Sequence, residues 1–498
     1  MKPAGQAISD STAIQGFVIP ELADTGFLFE SLPPTPLVYD DLDFGTTNID
    51  TTGIYTFRGG SQRNTPVLGR LDGRPLRIRY SWSFTTGSDT TKGLYGVWGG
   101  GAGWTGQPLY VKWDSSDVAN LGGLLPPYSK NKQPYSEIIQ ASLDGNVYFL
   151  DFEKGKRTRK PLEINNPIKG TPSINGWKKE FILVGQGIDN RGGFAWRLFD
   201  LRSQKKIQSE RQPDSYAIKK WGACDASPLV DPVSGVFIWP MESGLIYRGI
   251  LGRDKITNLE KFRYRIPEHD RLGTESSPSA FRHLGYITDN AGNIICIDLQ
   301  KMIPRWRFFN TDDSDATPVI NMNGDSVFVL VGNEVDKQGS LAKAYLRKLD
   351  GLSGRLVWQY SRDCYSITEP KTDNGGLLST PLPGKEKATG LIWAIFSRTN
   401  TKYGGAFVCL NDSDGSVRYE LKLKYYSWVS PIALYDREGN PYIYFADVAG
   451  NIFLLDGLTG KIMYTEKLKF TFESSPVAIG NRIIQPARGN RIISFVVE

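Results

Sequence analysis

Four carboxylates recur at one fixed place in this chain. Asp225, Glu275, Asp315 and Glu473 each lie three residues ahead of a proline that follows Ser or Thr. In three further copies of the pattern that place holds Lys169, Leu378 and Trp428. Acids gathered by a repeat repel one another unless a cation or a proton sits among them. Trp98, Trp104, Gln107, Trp221 and Tyr426 fall close to the same places. Indole faces stack on cations and on the C–H faces of sugars, while carboxylates accept bonds from sugar hydroxyls. The candidate ligand-binding set is therefore Trp98, Trp104, Gln107, Trp221, Asp225, Glu275, Asp315, Trp428 and Glu473, suited to a sugar or a cationic ligand. Each acid alone has a plainer use, accepting turn amides or pairing with Arg271, Lys219 or Lys220. A glycosidase or lyase would need two carboxylates at a controlled separation, or a base with Arg or Tyr. Nothing in the sequence fixes the distance between Asp225 and Glu275, and no catalytic residue is assigned.

The pattern that carries these acids appears eight times, as Gln107-Pro108, Thr171-Pro172, Ser227-Pro228, Ser277-Pro278, Thr317-Pro318, Thr380-Pro381, Ser430-Pro431 and Ser475-Pro476. The spacing averages about 53 residues, which signals a propeller or a similar array when strands rather than helices carry it. Each unit continues with a hairpin, as at Asp144-Gly145-Asn146, Ala291-Gly292-Asn293 and Ala449-Gly450-Asn451. Gly and Asn accept the positive φ that tight hairpins require. Next comes an acidic turn ending in Gly-Lys or Gly-Arg before an aromatic strand, clearest from Asp350 through Gly354-Arg355 to Trp358 and from Asp456 through Gly460-Lys461 to Tyr464. The acid is expected to accept turn amides, the glycine to take the left-handed position and the aromatic ring to pack between neighbouring units. After Ser475-Pro476 the chain stops before its aromatic strand, whereas an unmatched strand around Trp82 precedes the first repeat. A ring closed by strands from both termini accounts for both, and it removes exposed sheet edges.

The fold class expected is all-β: one eight-bladed propeller of four-stranded antiparallel blades over residues 76–498, preceded by a Pro- and Asp-rich extended arm over residues 1–75. Between Trp98 and Trp104 lie five residues, four of them Gly, and a fifth glycine follows at Gly106. That loop can be neither helix nor packed strand, and its backbone must approach something closely.

Bulk properties narrow the function. With 59 basic and 53 acidic residues among 498, the net charge of +6 is too slight to argue for nucleic acid. Only two histidines, His269 and His283, are present, so histidine-rich metal sites and Ser-His-Asp triads are not expected. Cys224, Cys296, Cys364 and Cys409 have no metal-site or haem-attachment spacing. No apolar stretch reaches membrane-spanning length, and the N-terminus lacks the pattern of a secretion signal. The Lys154–Lys160 and Arg202–Arg211 runs read as solvated faces.

The Asp-x-x-x-Gly-Lys/Arg-x-x-Trp turn after a Gly-Asn hairpin, with a Ser-Pro innermost strand, resembles the repeat of the quinoprotein-type eight-bladed propellers. That group includes the pyrroloquinoline-quinone (PQQ) dehydrogenases and the non-catalytic BamB-like scaffold proteins. The resemblance covers residues from about 76 to 498 and implies a bacterial, extracytoplasmic, periplasmic or cell-surface protein. The dehydrogenases of the group carry an adjacent Cys-Cys pair or a Cys-x-x-Cys-His haem site, and this chain has neither. Hence neither PQQ nor Ca²⁺ is supported by a motif. The expectation is a monomeric, non-catalytic binding or scaffold propeller whose central funnel takes a glycan or a protein. The alternative is a degenerate quinoprotein oxidoreductase or a carbohydrate-active enzyme.

Overall fold

The computed structural model describes residues 16–17, 27–44, 52–93, 96–104, 106–189, 193–267, 269, 271–367 and 373–498. Eight antiparallel sheets, each built on four strands, follow one another around a ring. Blade 1 runs from Leu109–Trp113 to Leu162–Glu163, blade 3 from Leu229–Val230 to Thr257–Arg265, and blade 5 from Val319–Asn323 to Leu356–Tyr365. Blade 8 is made from both ends of the chain. Val477–Ile479, Arg482–Ala487 and Arg491–Val497 supply three strands, and Ile78–Thr85 adds the fourth, with Trp82 opposite Ser494 and Tyr80 opposite Phe495. Pairing of the first strand of the ring with the last leaves no open edge between the first and eighth units.

The repeated residues hold the blades to one another. In the chain of innermost strands the Ser277 hydroxyl accepts the Ser227 N–H at 2.9 Å, and Thr317 does the same for Ser277 at 3.1 Å. Ser430 accepts from Thr380 at 3.0 Å, and Ser475 from Ser430 at 3.3 Å. The Ser475 N–H then reaches Gly106 O at 2.9 Å, joining blade 8 to blade 1. The hydroxyl is needed as an acceptor for the N–H of the neighbouring blade's Ser or Thr.

The outer turns work as a second belt. Asp350 accepts Ser353 N at 2.8 Å, and Gly354 takes φ +73°. A Cβ on Gly354 would lie 2.6 Å from the Trp306 indole of blade 4. Trp306 in turn donates to Gly351 O at 3.0 Å. Trp82 against Gly155, Trp358 against Gly415 and Tyr419 against Gly460 repeat the arrangement. Thus the aromatic ring of one blade lies flat on the turn of the next, as the spacing predicts. Inside the wall the sheets pack face to face through such pairs as Trp196 of blade 2 and Trp239 of blade 3, whose ring centres are 5.5 Å apart.

The residues ahead of the propeller have two structural uses. Leu28–Leu32 pairs with Thr257–Arg265 as an added outer strand of blade 3. The segment from Ile54 to Leu71 instead runs along the ends of the innermost strands, bonding in turn to Tyr110, Ile174, Ala280, Ile320, Ala478 and Tyr435. It sends two fully buried arginines inward. Arg63 donates to Pro278 O at 2.8 Å and Ser227 O at 3.0 Å, and Arg58 to Pro431 O at 2.8 Å.

Candidate functional site

At the end of the ring where the innermost strands begin, the structure gathers two groups of three carboxylates. One comprises Asp225, Glu242 and Glu275, the other Asp313, Asp315 and Glu334, and within each group the oxygens lie no more than 4.8 Å apart. Asp225, Glu275 and Asp315 occupy the place before the repeated Ser/Thr-Pro, held there by the bonds that register one inner strand against the next. Glu242, Asp313 and Glu334 join them from outside that pattern. Glu242 and Glu334 stand on the segments that leave the second strands of blades 3 and 5. Those segments face the same end of the ring, but their lengths vary, so no constant spacing marks them. Asp313 is tied to Glu334 by the Glu334 N–H on its carbonyl at 2.9 Å.

The first group contains its own cation. The Lys169 ammonium pairs with Asp225, which is fully buried, and lies 3.7 Å from Glu275. Burial alone would lower the Lys169 pKa, but Asp225, Glu275 and Glu242 hold it above its ordinary value. Trp221 donates its indole N–H to Glu242 Oε2 at 2.7 Å, while Glu242 Oε1 is buried with no hydrogen-bond partner. The second group has no cation in direct contact: among the described residues no Lys, Arg or His forms an ion pair with Asp313, Asp315 or Glu334, and the charges of Lys337 and Lys169 act on Asp313 and Asp315 only from farther off. Glu334 accepts from Asn374 at 3.2 Å, and Asp313 Oδ1 is buried without a partner. Burial, and after it the neighbouring carboxylates, push Asp313, Asp315 and Glu334 well above the ordinary carboxylate range. Glu242 is raised for the same reasons, and Asp225 is raised by burial against the pull of Lys169. A shift in this direction favours the protonated form of each acid, or a bound cation in place of the proton.

The aromatic residues are largely engaged already. Arg398 covers the Tyr426 ring at 4.0 Å and pairs with Asp373, and the Trp428 ring lies tilted against Tyr426 with centres 5.4 Å apart. Arg488 lies 5.6 Å from the centre of Trp98 and 3.6 Å from Glu473. Trp104 donates to Leu378 O at 3.3 Å. Gln107 is fully buried and serves the arm, its Oε1 accepting the Arg58 N–H at 3.1 Å. The glycine-rich loop has a packing role. A Cβ on Gly101 would lie 1.9 Å from Ala487 O and one on Gly100 2.0 Å from Gly87 O. Leu143 N and Ala102 N anchor the loop between blades 1 and 8, at 2.9 and 3.1 Å.

PQQ is a planar quinone bearing three carboxylates. It would meet six acids here, with the lysine in contact with them, Lys169, already paired to Asp225, and all four cysteines are buried and unpaired with one another. The residues present do not fit that group. Three carboxylate oxygens with this spacing do fit Ca²⁺, whose oxygen ligands stand at about 2.3–2.6 Å.

No protein-family model and no curated protein sequence matches the chain. Among solved structures it is similar to BamB from Moraxella catarrhalis, at 15% identity and a TM-score of 0.50, over 78% of this chain and 98% of that one. It is also similar to the quinohemoprotein alcohol dehydrogenase ADHIIG from Pseudomonas putida HK5, at 10% identity and a TM-score of 0.59, over 92% of this chain and 83% of that one. At such identities the likeness speaks for fold, and function has to come from the site. The chain is an eight-bladed β-propeller, a fold it shares with these two structures.

Proposed function

We propose that this protein is a non-catalytic binding or scaffold propeller whose funnel takes up a divalent cation, with Asp313, Asp315 and Glu334 as its protein ligands. The observation that carries this reading is the second carboxylate group, which has three acids in contact range and, among the described residues, no cation in direct ion-pair contact. Bound there, the ion would replace protons on the raised acids, fix the segments around Glu334 and Asp315, and offer open coordination positions to an oxygen-bearing ligand or partner. Arg398 and Arg488 lie over the Tyr426 and Trp98 rings, which favours a cation over a glycan as the primary ligand at those two rings.

Extracytoplasmic calcium modules bind with Kd around 10⁻⁴–10⁻³ M, and a site of this composition in an exported protein belongs in that range. Calorimetric titration with CaCl₂ at pH 7.5 tests the reading. Saturable binding by the wild type, lost in the Asp315→Asn/Glu334→Gln variant, is the expected result. Absence of heat up to several times that range, or equal binding by the double variant, would overturn it.

A further inference from the structure

We propose that the end of the ring opposite the carboxylates carries a second ligand site, a cavity that takes one ring of a neutral saccharide. This inference goes beyond the cation reading and does not rest on it. The arm segment from Ile54 to Leu71 crosses the finishing ends of the innermost strands, and between it and blades 2 and 3 lies a cavity of about 240 Å³. Ile174 of blade 2 and Leu229 of blade 3, both buried, give it an apolar floor. Trp177 stands at its rim. That residue is 47% exposed, whereas the other eleven of the twelve tryptophans are buried or half-buried. Two adjacent glycines of the arm also line the cavity, and only one of them is required by the backbone. Gly59 has φ +91°, and a Cβ on it would lie 2.0 Å from Thr65 O. Gly60 has neither constraint: its Cβ would meet nothing nearer than Thr65 Oγ1 at 3.9 Å. A larger residue at Gly60 would therefore occupy the cavity, and glycine keeps it empty.

The polar lining points to the class of ligand. Asn64 donates its amide to Gln62 Oε1 at 3.2 Å and to Ile320 O at 3.0 Å, which orients both carboxamides and leaves Gln62 Nε2 and Asn64 Oδ1 unused. Among the described residues the Asp43 carboxylate, Thr65 Oγ1 and the Trp177 indole N–H have no hydrogen-bond partner either. This mixture of idle donors and acceptors matches hydroxyl groups, each of which does both. The exposed indole matches the C–H face of a sugar ring. Lys178 Nζ is bonded to Val233 O at 2.8 Å and lies 5.7 Å from the Trp177 ring centre, which leaves the residue exposed to the extent given. An anion would find no Lys, Arg or His among the described lining residues, and a divalent cation only one carboxylate. The volume falls below the about 300–1,000 Å³ of sites for drug-sized molecules, so the cavity is sized for one ring, with the next lying outward over Trp177.

The test uses the full chain in EDTA, so that its outcome is separate from that of cation binding at the funnel. Maltotriose, cellotriose and tri-N-acetylchitotriose are titrated in turn, with binding read by calorimetry and by tryptophan fluorescence. At least one of them should bind saturably at millimolar concentration and change the fluorescence. Trp177→Ala should weaken that binding at least tenfold, and Gly60→Leu, which fills the cavity, should abolish it. Trp177 is exposed and Gly60 has open space beside it, so both variants should melt with the wild type when no sugar is present. If none of the three trisaccharides binds, or if either variant binds as tightly as the wild type, the site does not exist.

Discussion

Replacing Lys169 by Met keeps the hydrocarbon stem and removes the charge that serves the first carboxylate group. The Asp225 side chain is 0% exposed and that of Lys169 18%, so this is a buried pair with limited help from water. Breaking such a pair by deleting one partner costs about 3–5 kcal/mol, because the other charge is stranded. The loss should depend on pH. Burial already holds the folded pKa of Asp225 above its unfolded value, and loss of the lysine raises it further. Between the unfolded and folded values the native state holds a proton that the unfolded chain has given up, so stability falls as pH rises through that window. The gap between the variant and the wild type is therefore predicted to be wide at pH 8 and to narrow toward pH 5. Melting by scanning calorimetry in EDTA at those two pH values, with Lys169→Arg as the charge-retaining control, makes the measurement. Calcium should return part of the lost stability to Lys169→Met, since Asp225, Glu242 and Glu275 would then be open to an ion of their own. If Lys169→Met melts with the wild type at pH 8, or the gap widens toward acid, the electrostatic account of the funnel is wrong.

Other consequences are more local. Ser430→Ala strands the buried Thr380 N–H now accepted at 3.0 Å, and should cost about 1–3 kcal/mol by thermal or urea denaturation. Ser430→Thr, which keeps the hydroxyl, should cost less. Gly354→Ala forces a Cβ against Trp306 at positive φ and should cost about 1–3 kcal/mol, most of it absent when Trp306 is first truncated to Ala. In the wild type without divalent cations, raised Glu242, Asp313, Asp315 and Glu334 predict falling stability as pH climbs from about 5, and saturating calcium should flatten that slope.

The ring was legible in the sequence because the residues that build it do their work at constant spacing. Asp350, Gly354 and Trp358 must stand at fixed offsets for one turn to meet the preceding blade's ring, and the short eighth unit with its surplus partner at Trp82 predicts the closure. The Ser/Thr before each proline stood out as a landmark, but that its hydroxyl accepts a neighbour's N–H is a relation between strands about 50 residues apart, visible only in three dimensions. Half of the carboxylate cluster was legible for the same reason. Asp225, Glu275 and Asp315 share a repeat position, whereas Glu242 and Glu334 sit on connections whose lengths are free to vary. The glycines between Trp98 and Trp104 announce a close backbone approach, and the partner is Ala487 of the last blade, a residue no local pattern could name. Arg58 and Arg63 lay in a stretch whose turn residues pointed to an extended arm, and nothing there signals that two arginines turn into the channel.

The central claim is that the second carboxylate group is a cation site, and anomalous diffraction tests it most directly. Crystals soaked in a lanthanide that substitutes for calcium should show a strong peak between Asp313, Asp315 and Glu334, with carboxylate oxygens at about 2.3–2.6 Å. Density that places the metal only elsewhere, or leaves those three side chains without it at saturating concentration, would contradict the account.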